Sequence, residues 1–162
     1  GIGISRGDKM DWVIQKATEA GVTKITPLFT DRTEVKLKGD RAEKKMHHWQ
    51  QVSASACEQC YRNQLPTLLP PIHLNEWIKE AQADKKLVLH HRSQQTLSQL
   101  SNQKTNSVAL LIGPEGGLTT QEVELAEGAQ FLSLTLGPRV LRTETAPIIA
   151  IGILQSLWGD YQ

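Results

Sequence analysis

Two short apolar runs, each ending in a glycine-proline loop and each followed by a helical pattern, constrain this chain more than any other feature. The first is Val108-Ala109-Leu110-Leu111-Ile112 leading into Gly113-Pro114-Glu115-Gly116-Gly117. The second is Phe131-Leu132-Ser133-Leu134-Thr135-Leu136 leading into Gly137-Pro138-Arg139-Val140-Leu141-Arg142. Strand, loop and helix in that order place both loops at one edge of a parallel sheet, the carboxyl edge where open α/β sheets bind ligands. Glycine lets main chain approach a ligand closely, and proline holds a loop in one shape beforehand. The pair predicts a rigid small-molecule site built largely from backbone.

The rest of the pattern also alternates strand and helix. Met10, Val13, Ile14 and Ala17 form a helical stripe after Asp8 as N-cap, with Gly21 at the C-cap. Lys24 to Thr30 reads as a strand and Asp31 to Lys38 as a surface loop. Asp40-Arg41-Ala42-Glu43 resembles a capping box opening a helix through Trp49, Val52, Ser53 and Ala56 to about Gln59. Prolines make Tyr61 to Pro71 irregular or an edge strand. A short helix after Asn75 precedes a strand, Leu87 to His90, and His91 to Asn106 reads as a weak helix or long loop. Thr119 with Glu122 makes a capping box for a helix ending at Gly128. A last helix, Glu144 to Trp158, tolerates Pro147 in its first turn and is apolar nearly all round, so the core or a second subunit must cover it. The expected fold is α/β, with a mainly parallel sheet and helices on both faces.

Composition narrows function. A chain of 162 residues with net charge +1 reads as a globular domain, and nothing in the total charge demands a nucleic acid. No run approaches the roughly 20 apolar residues of a membrane span. Gly1 is not an initiator methionine and no secretory signal precedes the fold, so the chain is expected to be a fragment. Cys57 and Cys60 sit late in a helix, whereas redox pairs use a helix start, so they read as small side chains in a reducing cytosol. The paired histidines His47-His48 and His90-His91 make no natural chelate, and no metal is expected.

The loops exclude familiar phosphate sites. Leu118 and Thr119 stand where a phosphate loop needs lysine, Glu115 puts a carboxylate in the loop, and no G-x-G-x-x-G occurs in either. No serine lies on a nucleophile elbow. His90 ends a strand at the same edge and is a candidate for lining the site. Lys36, Lys38, Arg41, Lys44 and Lys45 make a basic stretch that is either a solvated helix face or a phosphate-contacting surface.

The segment Leu111 to Leu118, with Leu136-Gly137-Pro138-Arg139-Val140-Leu141-Arg142-Thr143-Glu144-Thr145-Ala146, resembles the signature of the ribosomal RNA small subunit methyltransferase E family. The likeness continues through Arg6 to Gly21, Ser55-Ala56-Cys57-Glu58-Gln59 and Arg62. After Gln59 the chain reads Cys60-Tyr61, where the family commonly has a small residue or glycine before the arginine.

The resemblance implies a SPOUT-type domain with a C-terminal deep trefoil knot, S-adenosylmethionine as cofactor, and methylation of N3 of a uridine in 16S rRNA. It also implies a cytoplasmic homodimer acting on the small ribosomal subunit, and a PUA-like RNA-binding domain missing from the start of this chain. Glu144 becomes the candidate base, and Arg142 and Arg62 the candidates for steadying uracil oxygens or a phosphate. The implied cofactor contacts are His90, Ile112, Gly113, Pro114, Glu115, Gly116, Gly117, Leu136, Gly137, Val140, Leu141 and Thr145. The rival is a non-catalytic RNA- or nucleotide-binding module on the same fold.

Overall fold

The computed structural model describes residues 1–100 and 104–161. Its elements alternate: β1 (Ile2–Gly3), α1 (Lys9–Glu19), β2 (Lys24–Ile25), β3 (Pro27–Phe29), α2 (Gly39–Cys60), β4 (Thr67–Leu68), β5 (Ile72–His73), α3 (Leu74–Glu80), β6 (Lys85–Leu89), β7 (Val108–Leu111), α4 (Thr120–Gly128), β8 (Leu132–Leu134) and α5 (Thr145–Trp158). Among the described residues every strand pairing is parallel. Strands β5-β3-β1 and β7-β6-β8 form two sets, and a parallel bridge between Ile2 and Ile112 joins them into one continuous sheet. At that seam the Gly3 N–H donates to the Ile112 carbonyl at 2.8 Å, and the Ile112 N–H donates to the Gly1 carbonyl at 3.0 Å.

Alternation along the strands puts helices on both faces. Leu28, Val88 and Leu111 point into a core with Trp77 and Ile78 of α3 and Val123 and Ala126 of α4. Their neighbours Phe29, Leu110 and Ile112 point the other way, into a core with Met10, Val13, Ile14 and Ala17 of α1 and Trp49 of α2. A period of two is what separates one face of a strand from the other. The expected α1 stripe is the buried face of that helix.

Local departures from expectation have local causes. Lys24 to Thr30 is two strands: β2 pairs with β4, whereas β3 pairs with β1 and β5. The division falls before Pro27, which has no N–H to give to a ladder. Asp8 occupies the N-cap of α1 without a side-chain bond, its ψ of 4° lying outside the extended region that aims a capping oxygen at the first turn. The predicted capping box at Asp40–Glu43 is not made. The helix starts two residues earlier, at Gly39 (φ +52°), so Lys38 takes the N-cap and Asp40 falls within the first turn.

Other expectations hold with small shifts. Thr119 and Glu122 form the expected reciprocal capping box. The turn beyond α4 puts Gln130, at φ +69°, in the left-handed region in place of Gly128. Gly21, at φ +87°, closes α1, with its own N–H on the Thr18 carbonyl and that of Val22 on Ala17. Within 91–106, Leu97–Leu100 is a single 3-10 turn, and residues 101–103 lie outside the described residues. Among the described residues no helix is long and apolar enough to cross a membrane.

The seam generates a prediction. A Cβ on Gly3 would lie 2.5 Å from Cδ of Pro114, so Gly3→Ala must push β1 away from the loop after β7. Overpacking of this kind costs about 1–3 kcal/mol. Urea denaturation of the Gly3→Ala variant should report that loss.

Candidate active site

Because β6 lies between β7 and β8, the chain leaves three adjacent strands at one sheet edge. After β7, Gly117 at φ +69° returns its N–H to the Pro114 carbonyl at 2.8 Å, closing a tight turn. Gly113 is required by contact, since a Cβ there would sit 2.8 Å from the backbone nitrogen of Leu118. After β8, the Thr135 N–H donates to the Gln95 carbonyl, and the Thr135 hydroxyl to that of Gly137, which bends the chain at φ +108°. The segments after β6, β7 and β8 enclose a cleft of about 320 Å³.

Ten of the sequence-derived candidates line this cleft: His90, Ile112, Gly113, Pro114, Glu115, Gly116, Gly117, Leu136, Val140 and Leu141. Gly137 and Thr145 are not among its lining residues. Gly137 shapes the second loop, and Thr145 opens α5 with its N–H on the Arg142 carbonyl. Leu89, Leu134, Thr143 and Ala146 add lining beyond the named cofactor candidates.

Arg32 also lines the cleft, although its segment reads as a surface loop. Its Nη1 donates to the Gly116 carbonyl at 2.6 Å. Nothing in its local sequence signals this contact, which spans 84 positions of chain. The loop carrying it is fixed by Glu122, whose Oε1 accepts the Asp31 N–H at 2.8 Å. The residue that caps α4 thus also anchors a wall of the cleft.

The carboxylates converge on Lys9, in the first turn of α1, which lies within the Arg6-to-Gly21 likeness but is not among the candidate site residues. Its Nζ lies 3.4 Å from Glu115 Oε1 and 3.9 Å from Glu144 Oε2. Glu115 Oε1 also accepts the Arg6 backbone N–H at 3.0 Å. Partial burial pushes the Glu115 carboxyl up, but hydrogen bonds from its own and Arg6's backbone N–H, together with Lys9, outweigh that and hold it below its usual range. Its charge is already engaged, so it is less available to a cation in the cleft than the sequence suggests. Glu144 Oε2 is enclosed and has no hydrogen-bond partner, with the Lys9 ammonium as its ion-pair neighbour. Both pairs are partly exposed, so each adds little to stability.

The arginines separate. Arg142 is exposed beside Glu144, with no partner for its guanidinium among the described residues. Arg62 is not at the cleft. Its Nη1 donates to the carbonyls of Thr18 at 2.5 Å and Val22 at 3.1 Å, completing the C-terminal end of α1. His90 packs edge-on against His91 with ring centroids 5.3 Å apart. Burial first, then the nearby His91 and Arg92, lowers its pKa and favours the neutral ring.

The cleft therefore offers apolar side walls, exposed main chain and a neutral imidazole; of the two arginines in its lining, Arg32 is engaged by the Gly116 carbonyl and Arg139 lies on the second loop, and no lysine lines it. Glu144 and Arg142 are not among its lining residues; Glu144 is tied to it through Lys9, whose ammonium lies between the enclosed Glu144 oxygen and the lining residue Glu115. That combination suits a compact ligand with an aromatic ring and a proton transfer next to it.

Comparison with known proteins bears on this geometry. The chain is 41% identical over 158 residues to the ribosomal RNA small subunit methyltransferase E of Buchnera aphidicola, covering 97% of this chain and 64% of that protein. The protein of that name from Bacillus subtilis is 34% identical, with 94% and 62% covered. A crystal structure of ribosomal RNA small subunit methyltransferase E from Neisseria gonorrhoeae bound to S-adenosyl methionine superposes with a TM-score of 0.91 at 40% identity, over 99% of this chain and 66% of that one. The chain thus spans slightly under two thirds of the length of these relatives. Its residues 1–155 match the family described as the RNA methyltransferase domain, and the chain belongs to that family.

Proposed function

We propose that this chain is the catalytic domain of an S-adenosylmethionine-dependent methyltransferase that modifies N3 of a uridine in 16S rRNA, within the small ribosomal subunit and in the cytoplasm. The observation that carries the reading is the cleft built from three loops at one parallel-sheet edge, in a chain whose relatives bear that enzyme's name. The cofactor fits the residues present. It carries no phosphate and so needs no basic cradle, and an adenine suits the apolar walls of Ile112, Leu136 and Leu141 and the open backbone of the two glycine loops. Gly113 is tightened against the Leu118 backbone, and Gly116 is pinned by Arg32, so these contacts are set before a ligand arrives.

When bound, S-adenosylmethionine supplies a methyl carbon activated by its sulfonium. The protein must then remove the proton on uracil N3, and Glu144 is the residue assigned to take it, through the carboxylate oxygen that has no hydrogen-bond partner. Lys9 lies 3.9 Å from that carboxylate and orients it, and Arg142, with no partner among the described residues, is assigned to meet the negative charge developing on the uracil oxygens. Arg62 is assigned to holding α1, the helix that carries Lys9.

A homodimer and a C-terminal trefoil knot belong to the same proposal. In the single chain only Pro147 and Ala150 of α5 are buried, and Ile149 remains exposed, which supports a second copy covering this helix. The segment after β8 runs beside the loops after β6 and β7 before α5 reaches α1, where Gln155 Nε2 donates to the Ala20 carbonyl at 2.8 Å. That path supports threading. With a net charge of +1, RNA affinity is inferred to draw on residues beyond these, as a PUA-like domain would supply.

The decisive experiment is calorimetry with S-adenosylmethionine followed by methyl transfer to small ribosomal subunits. Cofactor binding with slow, salt-sensitive transfer to a uridine N3 is expected. RNA binding without cofactor binding would favour the non-catalytic module. The Glu144→Gln variant should keep cofactor affinity and lose about 10²–10⁴-fold in methylation rate, with the deficit shrinking at alkaline pH where uracil ionises unaided. Sedimentation should show a dimer at micromolar concentration, and Ile149→Glu should shift it to monomer.

A further inference from the structure

A second groove, larger than the cleft at about 890 Å³, opens beside it between the start of α1 and the loop and first turns of α2. Its floor is apolar, from Ile4, Leu37 and Trp49, and its lining is basic on balance, with Arg6, Lys36, Arg41, Lys44 and Lys45 against Asp8, Asp11 and Glu34. Three rim cations, Lys36, Arg41 and Lys44, have no acidic partner among the described residues, whereas Arg6 is paired with Glu34 and Lys45 with Asp11. Ser5 lines the same groove. It is 4% exposed, and its hydroxyl has no hydrogen-bond partner among the described residues. A buried hydroxyl without a partner costs free energy unless something satisfies it, and unpaired cations lining the same groove favour an anion.

The groove is continuous with the reaction centre through Arg6, whose backbone N–H holds Glu115 while its side chain lines the groove. We infer that this groove seats single-stranded RNA next to the target nucleotide, with Lys36, Arg41 and Lys44 on backbone phosphates and the Ser5 hydroxyl donating to a phosphate or base oxygen. The apolar floor is suited to an unstacked base, which single-stranded recognition characteristically buries against aromatic surface. This rests on the RNA methyltransferase reading above and extends it to a site outside the cofactor cleft.

The test uses the full chain saturated with S-adenosylmethionine and a fluorescent oligouridylate titrated across a salt series. Each phosphate contact removed from a single strand lowers the slope of log affinity against log salt by about 0.7. Lys36→Gln and Lys44→Gln should each show that change, and Lys79→Gln, on α3 across the sheet, should not. Ser5→Ala should weaken binding by on the order of tenfold while leaving the salt slope as it was, because it removes a hydrogen bond and no charge. Cofactor affinity should be the same in all four variants. Groove variants that bind RNA with wild-type affinity and slope overturn the inference, as does a cofactor-binding wild type with no affinity for the oligouridylate. Failure of the wild type to bind S-adenosylmethionine overturns the underlying reading instead.

Discussion

The backbone seam between β1 and β7 is the constraint on which the rest of this structure depends. Two bonds, from Gly3 to Ile112 and from Ile112 to Gly1, fuse two three-stranded sets into one parallel sheet. Without them the loop after β7 would not adjoin the turn after β1, and Lys9 would not reach Glu115 or Glu144. Glycine at position 3 is what lets the Pro114 ring lie against the strand. The cleft and the groove are two consequences of the same join, one on each side of Arg6.

The division of labour among charged residues follows from solvent access. Lys9, Glu115 and Glu144 lie at partly exposed positions, where an ion pair is weak as a source of stability but sufficient to orient a side chain. Arg62 and Arg32 instead donate to backbone carbonyls, fixing main chain that would otherwise end unsatisfied or move. Residues of the same chemical type therefore serve different ends. Arg142, two positions before Glu144, alone among these arginines has a guanidinium without a partner among the described residues.

Much of the fold was legible because it is carried by local patterns. The α1 stripe, the Thr119–Glu122 box and the two strand-loop-helix units are sequence periods and caps that the structure realises directly. The cleft was legible for the same reason, since ten candidates sit on loops whose position follows from being the carboxyl ends of adjacent parallel strands. Arg32 and Lys9 were not legible, because each acts across some eighty positions or more and no local period encodes such a contact. The failed caps at Asp8 and Asp40 have another origin. Suitable side chains are present, but the backbone entering each helix is set by the tertiary path, which leaves the oxygens misdirected. Arg62 matched the motif in sequence, yet its guanidinium is taken up by the Thr18 carbonyl at the end of α1 and the Val22 carbonyl in the turn beyond it.

The order of strands across the sheet has a kinetic consequence. Strands β1 and β7 meet across a sequence separation of 109 in the Gly3–Ile112 bond, and every described ladder is parallel, so none of them closes by a hairpin. Non-local parallel pairing has to spend chain entropy before contacts repay it, which places such folds among the slow ones. The cleft draws on segments near residues 32, 90, 115 and 140, so it exists only after nearly the whole chain has come together. A molecule bound there is consequently linked to the folding equilibrium of the entire sheet, and occupancy protects all of it rather than a single loop.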